Sequence, residues 1–397
     1  MKQSMISLAM LTLAAGATPA AVIDPVPLGA LDAWNVQPRR LTDNDYEDYS
    51  PDASGSSVVW EGIEDDDFAV FLFDGNSTIR LSDQQLESRY PRLSGSNVAW
   101  RAIVEPEFDT EIFFYDGTTV TQLTDNDYDD HRPSISGSHV AWWGYQHGDG
   151  EIFLFDGDQI TQLTDNDYRD YRPRVSGGRV AWLGRPDGRD SDNEVYYYDG
   201  QETKRLTDNA FDDGALRISG STVVWHGLAD DGGFDMEVFM YDGSRVVQLT
   251  DNDTDDWSPD ASGSRVAWIG YAEDGYDIEI FLYDGQETIQ LTDNEYSDFD
   301  VDLSGSRAAW LGYDGQDVEV FVFDGYATHQ LTDNTYDDYD VDISGVHVVW
   351  YAYPDGWDRG GEIFTAVIPE PSVVAWLSTL LVMAAALGGF KVRGRKR

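Results

Sequence analysis

Six consecutive positions, Asp125-Asn126-Asp127-Tyr128-Asp129-Asp130, carry five side chains ending in a carboxylate or an amide. Hard oxygen donors at alternate positions are how a loop begins to wrap Ca2+, which takes about six to eight oxygen ligands. Asp125, Asp127 and Asp129 have that spacing, as do Asp165 and Asp167, and Asp251, Asp253 and Asp255. These eight are the expected metal ligands, and Ca2+ is the expected ion.

A conformational reading competes for the same loops. The first Asp, the Asn after it and the Asp five residues after the first recur in seven of eight copies, for example as Asp43, Asn44 and Asp48. The alternate positions vary, Asp127 being replaced by Ala210 or Thr335 and Asp129 by Arg169 or Ser297. Short polar side chains that bond nearby backbone N–H groups hold turns. The recurring three are therefore expected to hold a turn, and the variable acids to meet ions. The eighth copy, Asp83 to Ser88, lacks the Asn and the last Asp and is expected to bind none.

Other chemistries find little support. The six His share no short metal-ligand spacing, and there is no Cys for a disulfide, a thiolate site or a nucleophile. Carboxylate pairs for glycoside hydrolysis can be drawn anywhere on so acidic a chain, so the pattern selects no pair. A Gly-x-Ser-x-Gly elbow, a phosphate loop and a dinucleotide fingerprint are all missing. Seventy-four acids against 26 Lys and Arg give a formal net charge of −48. Such a surface repels nucleic acid and favours cations or basic partners.

The elements that must position these loops follow from repetition. A Val/Ala-Val/Ala-Trp tripeptide recurs with Trp at 60, 100, 142, 182, 225, 268, 310 and 350, about 40 residues apart. Each except the last is followed by an aromatic-Asp-Gly turn, from Asp74 to Asp324. Within one copy, Pro133–Ser136, Val140–Tyr145, Glu151–Phe155 and Ile160–Thr164 read as four strands, the third closed by the hairpin signal Asp156-Gly157. Four short strands per copy, with no helical period, predict an all-β propeller of four-stranded antiparallel blades over residues 36–367. Eight three-strand sets and a lone strand at Gln37–Thr42 predict eight blades, the N-terminal strand completing the last set; seven blades is the alternative. The order Leu123-Thr124, Asp130-His131-Arg132-Pro133, Ser136-Gly137, Glu151-Ile152-Phe153 resembles the TolB-type (WD-like) propeller repeat. The Ser-Pro-Asp-Gly turn of that repeat is shortened here. The resemblance implies the fold and leaves the function open.

In such a meander, the loop leaving a blade and the loop between its second and third strands share one face, and both are acidic. Charge is therefore expected on one rim. The core-register Trp should pack between blades. Trp143, Trp257 and Trp357 fall outside that register, open to sugar stacking or to ordinary packing.

The ends have their own character. Residues 1–21 carry one Lys, an apolar run and small residues, the pattern of a signal peptide. Residues 372–390 form an uncharged stretch long enough to span a bilayer, followed by a basic end. With Pro369, Glu370 and Pro371 in front, the tail 369–397 resembles the PEP-CTERM sorting signal of exported bacterial proteins. That resemblance implies an exosortase-type processing enzyme as partner, a transient membrane anchor, and release to the cell surface or matrix. The functional expectation is a non-catalytic exported propeller binding a surface or matrix polymer or protein through an acidic, calcium-loaded face. The alternative is an extracellular polysaccharide-acting enzyme using carboxylates on that face.

Overall fold

Apolar strands joined by Ser-Gly and Asp-Gly turns build eight antiparallel sheets around an axis in a computed structural model that describes residues 21–22, 36–64, 67–106, 108–186, 192–229, 235–272, 276–356 and 359–369. In the third blade the strands are Asp130–Ser136, His139–Gln146, Asp149–Phe155 and Ile160–Gln162, from the axis outward. The inner strand starts three residues earlier than Pro133, because Asp130 and His131 already pair with Gly144 and Trp143. The segments expected for the signal peptide and the membrane span lie outside the described residues, apart from Ala21–Val22, a short strand parallel to Thr288–Gln290. Among the described residues, no helix is long and apolar enough to cross a membrane.

Eight blades close the ring. Arg39–Arg40 pairs antiparallel with Glu362–Val367, Arg39 opposite Thr365 and Arg40 opposite Phe364. The N-terminal strand thus supplies the fourth strand of the last blade and covers an edge that would otherwise template aggregation. Closure also runs along the axis. The Ser at the end of each inner strand accepts the Gly N–H of the next blade's turn, as in Ser94 Oγ from Gly137 and Ser136 Oγ from Gly177, and the last such bond returns from Ser344 to Gly55. This ring of bonds is what the recurring Ser-Gly pairs do.

The second strand is apolar on both sides because each blade packs against two others. All eight core Trp are 1% exposed or less. Each stacks on an aromatic ring of the third strand, Trp142 on Phe153 at 5.8 Å between centroids. Burying a ring of this kind gives about 4–6 kcal/mol before entropy, at about 25 cal/mol per Å2. Gly157 supplies the positive φ of the hairpin turn (+102°), where Asp156 Oδ1 accepts the N–H of Asp158 and Gln159.

Every inner strand carries one β-bulge. In the third blade the register shifts between His131 and Ser134, and Arg132 takes φ 49°. Its equivalents Ser50, Tyr90, Arg172, Ala215, Ser258, Asp300 and Asp340 all have positive φ as well.

Candidate functional site: buried latches and an acidic rim

The acidic loop divides along its length. Asp130, the last acid, is fully buried as the first residue of the inner strand. Its Oδ1 accepts from Trp142 Nε1 at 2.9 Å, and its Oδ2 from Asn126 Nδ2 at 2.8 Å. Asn126 Oδ1 accepts the Tyr128 N–H, closing an Asx turn. The same Trp–Asp bond joins Trp60 to Asp48, Trp182 to Asp170, Trp268 to Asp256 and Trp310 to Asp298. The turn-holding expectation thus holds for the Asn and the last Asp, but the Asp is held mainly by side chains.

Two partners were not foreseen. Glu111, buried on the third strand of the preceding blade, accepts the Asn126 N–H with Oε1 at 2.9 Å. Glu151, Glu194, Glu237, Glu279 and Glu319 do the same for the next five loops. The Thr of Leu-Thr-Asp accepts a backbone N–H of that third strand, Thr124 from Ile112 and Thr164 from Ile152. Each latch therefore ties the outgoing loop to both blades it joins. The signal for the Glu was present: Ala69 stands in its place in the one blade whose next loop lacks the Asn.

Putting carboxyl groups here is electrostatically expensive. Burial, and secondarily Glu111, push the Asp130 carboxyl up to about 7 against the bonds from Asn126, Thr124 and Trp142. Asp48, Asp170 and Asp213 are likewise raised to about 7, burial leading in each. Burial also raises Glu237 and Glu279 to about 7. Space is equally tight. A Cβ on Gly144 would lie 2.5 Å from Asp130 Oδ1. Where Ala352 occupies the equivalent place, Asp338 Oδ1 has no hydrogen bond, and Oδ2 accepts from Thr332 at 2.6 Å and from Asn334 at 3.3 Å.

None of the eight expected metal ligands belongs to a latch. Asp125, Asp127, Asp165, Asp167, Asp251 and Asp253 are exposed. Asp125 was expected to hold the turn with Asn126 and Asp130, but its side chain makes no hydrogen bond among the described residues. Asp129 Oδ1 accepts the Thr110 N–H at 2.9 Å, and Asp255 Oδ1 the Met236 N–H at 2.7 Å. Those two acids brace the start of a neighbouring third strand, a role that Asp212 and Asp337 share. Among the described residues, the carboxylates with ligand atoms all within 4.8 Å of one another are Asp314, Asp317 and Glu319, in the hairpin between second and third strands of the seventh blade. Glu319 Oε1 and Oε2 already accept from Asn334, while Asp317 Oδ1 is buried without a partner.

The aromatic residues outside the core register divide too. Trp143 is buried, 4.6 Å from the His131 ring and beneath the Arg169 guanidinium, and Trp257 is half-buried on Tyr271. Trp357 lies outside the described residues. So do Glu370 and Pro371 of the sorting motif, whereas Pro369 is exposed just after the buried Ile368.

No protein-family model matches this chain, and no curated protein does. Solved structures do. The β-propeller domain of the Trilobed protease from Pyrococcus furiosus, described as having an open velcro topology, matches with TM-score 0.52 and 13% identity over 73% of this chain and 99% of that one. Dipeptidyl peptidase 4 from Porphyromonas gingivalis matches with TM-score 0.54 and 12% identity over 88% of this chain and 61% of the enzyme. A TolB structure from Agrobacterium tumefaciens reaches 20% identity over 52% of this chain, with TM-score 0.37. At these identities the likeness is one of fold: the chain is a β-propeller.

Proposed function

We propose that this chain is an exported, non-catalytic propeller that binds a basic polymer or protein at the cell surface or in the matrix through its acidic rim. The observation behind this reading is the division within each loop. In seven of the eight copies the last acid is buried in a latch, while the first acid of all eight, from Asp43 to Asp333, is exposed. A fold that needed only the latch would not need that outer acid, and repulsion among so many carboxylates opposes folding. Calcium is the counter-ion proposed for this rim, by hard-oxygen chemistry, with Asp314, Asp317 and Glu319 grouped at ligand spacing. An exosortase-type enzyme is the proposed processor of the tail.

Retention of the released propeller on poly-L-lysine and poly-L-glutamate surfaces, over a salt gradient, tests the reading. Binding to the cationic surface alone, weakening steeply with salt, is expected. Equal retention on both surfaces, or none on either, would refute it.

A further inference from the structure

The channel along the axis has two signs. The bulge position and the position two residues on carry Arg92, Arg132, Arg172, Arg174 and Arg217 in the second to fifth blades, with no acid among them. In the sixth, seventh, eighth and first blades the same positions carry Asp260, Asp300, Asp302, Asp340, Asp342 and Asp52, with no base. A chain with 74 acids and 26 bases has thus placed five of its few Arg together.

The arcs act on one another only at their two ends. Arg217 meets Asp260 at 3.6 Å and acts on Asp300 at one junction, and Arg92 acts on Asp52 at the other. Among the described residues, Arg132, Arg172 and Arg174 have no acidic partner, and Arg92 donates only to the adjacent Pro91 carbonyl. Burial first, then Arg217, Arg92, Arg132 and Arg172, hold the Arg174 guanidinium well below its usual range. On the other arc, burial first and then Asp302 push Asp260 up to about 8. Burial first and then Asp342 hold Asp302 well above its usual range, so that a cation entering this arc displaces protons from it.

Architecture does not require these charges. The Asp and Ser members brace the next blade: Asp52 accepts the Leu93 N–H, Ser134 the Val175 N–H, and Asp302 the Ile343 N–H. Serine suffices for that, so aspartate is not needed. Arginine has no acceptor, so Arg92, Arg174 and Arg217 give up the brace. At the bulge, Gly would adopt the positive φ at least cost, yet none of the eight residues is Gly.

A cavity of about 450 Å3 opens beside the acidic arc, lined by Arg217, Asp260, Asp300, Asp302, Phe299 and Tyr339 among others. That volume suits a small molecule, and the two rings offer faces to a cation or an apolar spacer.

We propose that the central channel binds a zwitterionic ligand, its anionic group on the Arg132–Arg174 side and its ammonium among Asp260, Asp302 and Asp340. This site is separate from the rim, and the channel variants below leave the rim intact.

Calorimetric titration with 6-aminohexanoate, hexanoate and hexylammonium tests it on the intact propeller. The zwitterion should bind at least about tenfold more tightly than either single-charge analogue, as loss of one charge-assisted contact implies. Arg174→Gln should bring its affinity down to that of hexylammonium, and Asp302→Asn to that of hexanoate. Arg245→Gln, on an outer hairpin, should change nothing. If Arg174→Gln fails to fold by circular dichroism, Arg132→Gln at the exposed bulge takes its place. A zwitterion no tighter than the better single-charge analogue, or affinities unmoved by the channel substitutions, overturns the proposal.

Discussion

Replacing Asp130 by Asn keeps the shape of the side chain and removes its titration. In the folded protein two donors converge on this carboxyl, Trp142 Nε1 at 2.9 Å and Asn126 Nδ2 at 2.8 Å. An amide accepts from one and turns its own N–H toward the other. Leaving a buried donor unmet costs about 1–3 kcal/mol. Titration acts in the opposite sense. The folded-state pKa of Asp130 is raised from 3.8 to about 7, chiefly by burial. Between those values the folded protein holds a proton that the unfolded chain has lost. The stability from this proton is therefore complete below the unfolded value and disappears as pH rises through the folded one. From pH 5 to 7 the change is about 1.4 kcal/mol per unit, or about 3 kcal/mol. The amide of the variant has no such dependence, and the other latches are common to both proteins. Urea unfolding followed by Trp fluorescence should find Asp130→Asn less stable by about 1–3 kcal/mol at pH 5. At pH 8 the deficit should vanish or reverse. A deficit equal at both pH values to within about 0.5 kcal/mol would show that Asp130 does not carry a proton into the fold.

Four further outcomes are expected. The parent protein should lose thermal stability as pH rises from about 5 to 8, because Asp48, Asp170 and Asp213, raised to about 7, give up protons that favour the fold. Scanning calorimetry across that range checks the sign. Gly144→Ala, which puts a Cβ 2.5 Å from Asp130 Oδ1, should cost about 1–3 kcal/mol in urea unfolding; Ala352→Gly should be neutral or stabilising by letting Asp338 reach Trp350. Removing residues 36–42 uncovers the edge of Glu362–Val367, and size-exclusion chromatography should then show association. EDTA should lower the melting midpoint and Ca2+ restore it, while Asp314→Asn with Asp317→Asn should blunt the response; an unchanged midpoint in EDTA removes calcium from the account.

Much of the fold was legible because its periods are local. Trp spacing, Asp-Gly turns and Ser-Gly turns each mark one strand end per blade, and the unpaired strand at Gln37–Thr42 announced the closure that Arg39–Arg40 makes. That pairing decides for eight blades over seven. The latch was half legible. Asn126 and Asp130 lie in one loop, but Glu111 is 15 residues away on another blade, and the indole of Trp142 is 12 residues ahead. Local turn chemistry therefore accounted for a carboxylate whose main partners are tertiary. Counting carboxylates at alternate positions did not anticipate that Asp129 and Asp255 accept backbone N–H groups of a neighbouring strand. The two-signed channel was hidden for another reason. Arg92 and Asp260 become equivalent only once the bulge sets which residues of each inner strand face the axis.

The central claim is that seven of the eight acidic loops separate a carboxylate that folds the protein from one that binds a partner. It is tested most directly by neutralising each class alone and measuring both properties. Asn at the exposed Asp43, Asp83, Asp125, Asp165, Asp208, Asp251, Asp293 and Asp333 should weaken retention on poly-L-lysine, lowering the salt at which the protein elutes, with the melting midpoint unchanged or raised. Ala at the buried Asp130 and Asp170 should lower the midpoint and leave retention of the folded protein intact. Retention as salt-resistant as the parent's after loss of the exposed set, or a fold that fails without it, would contradict the account.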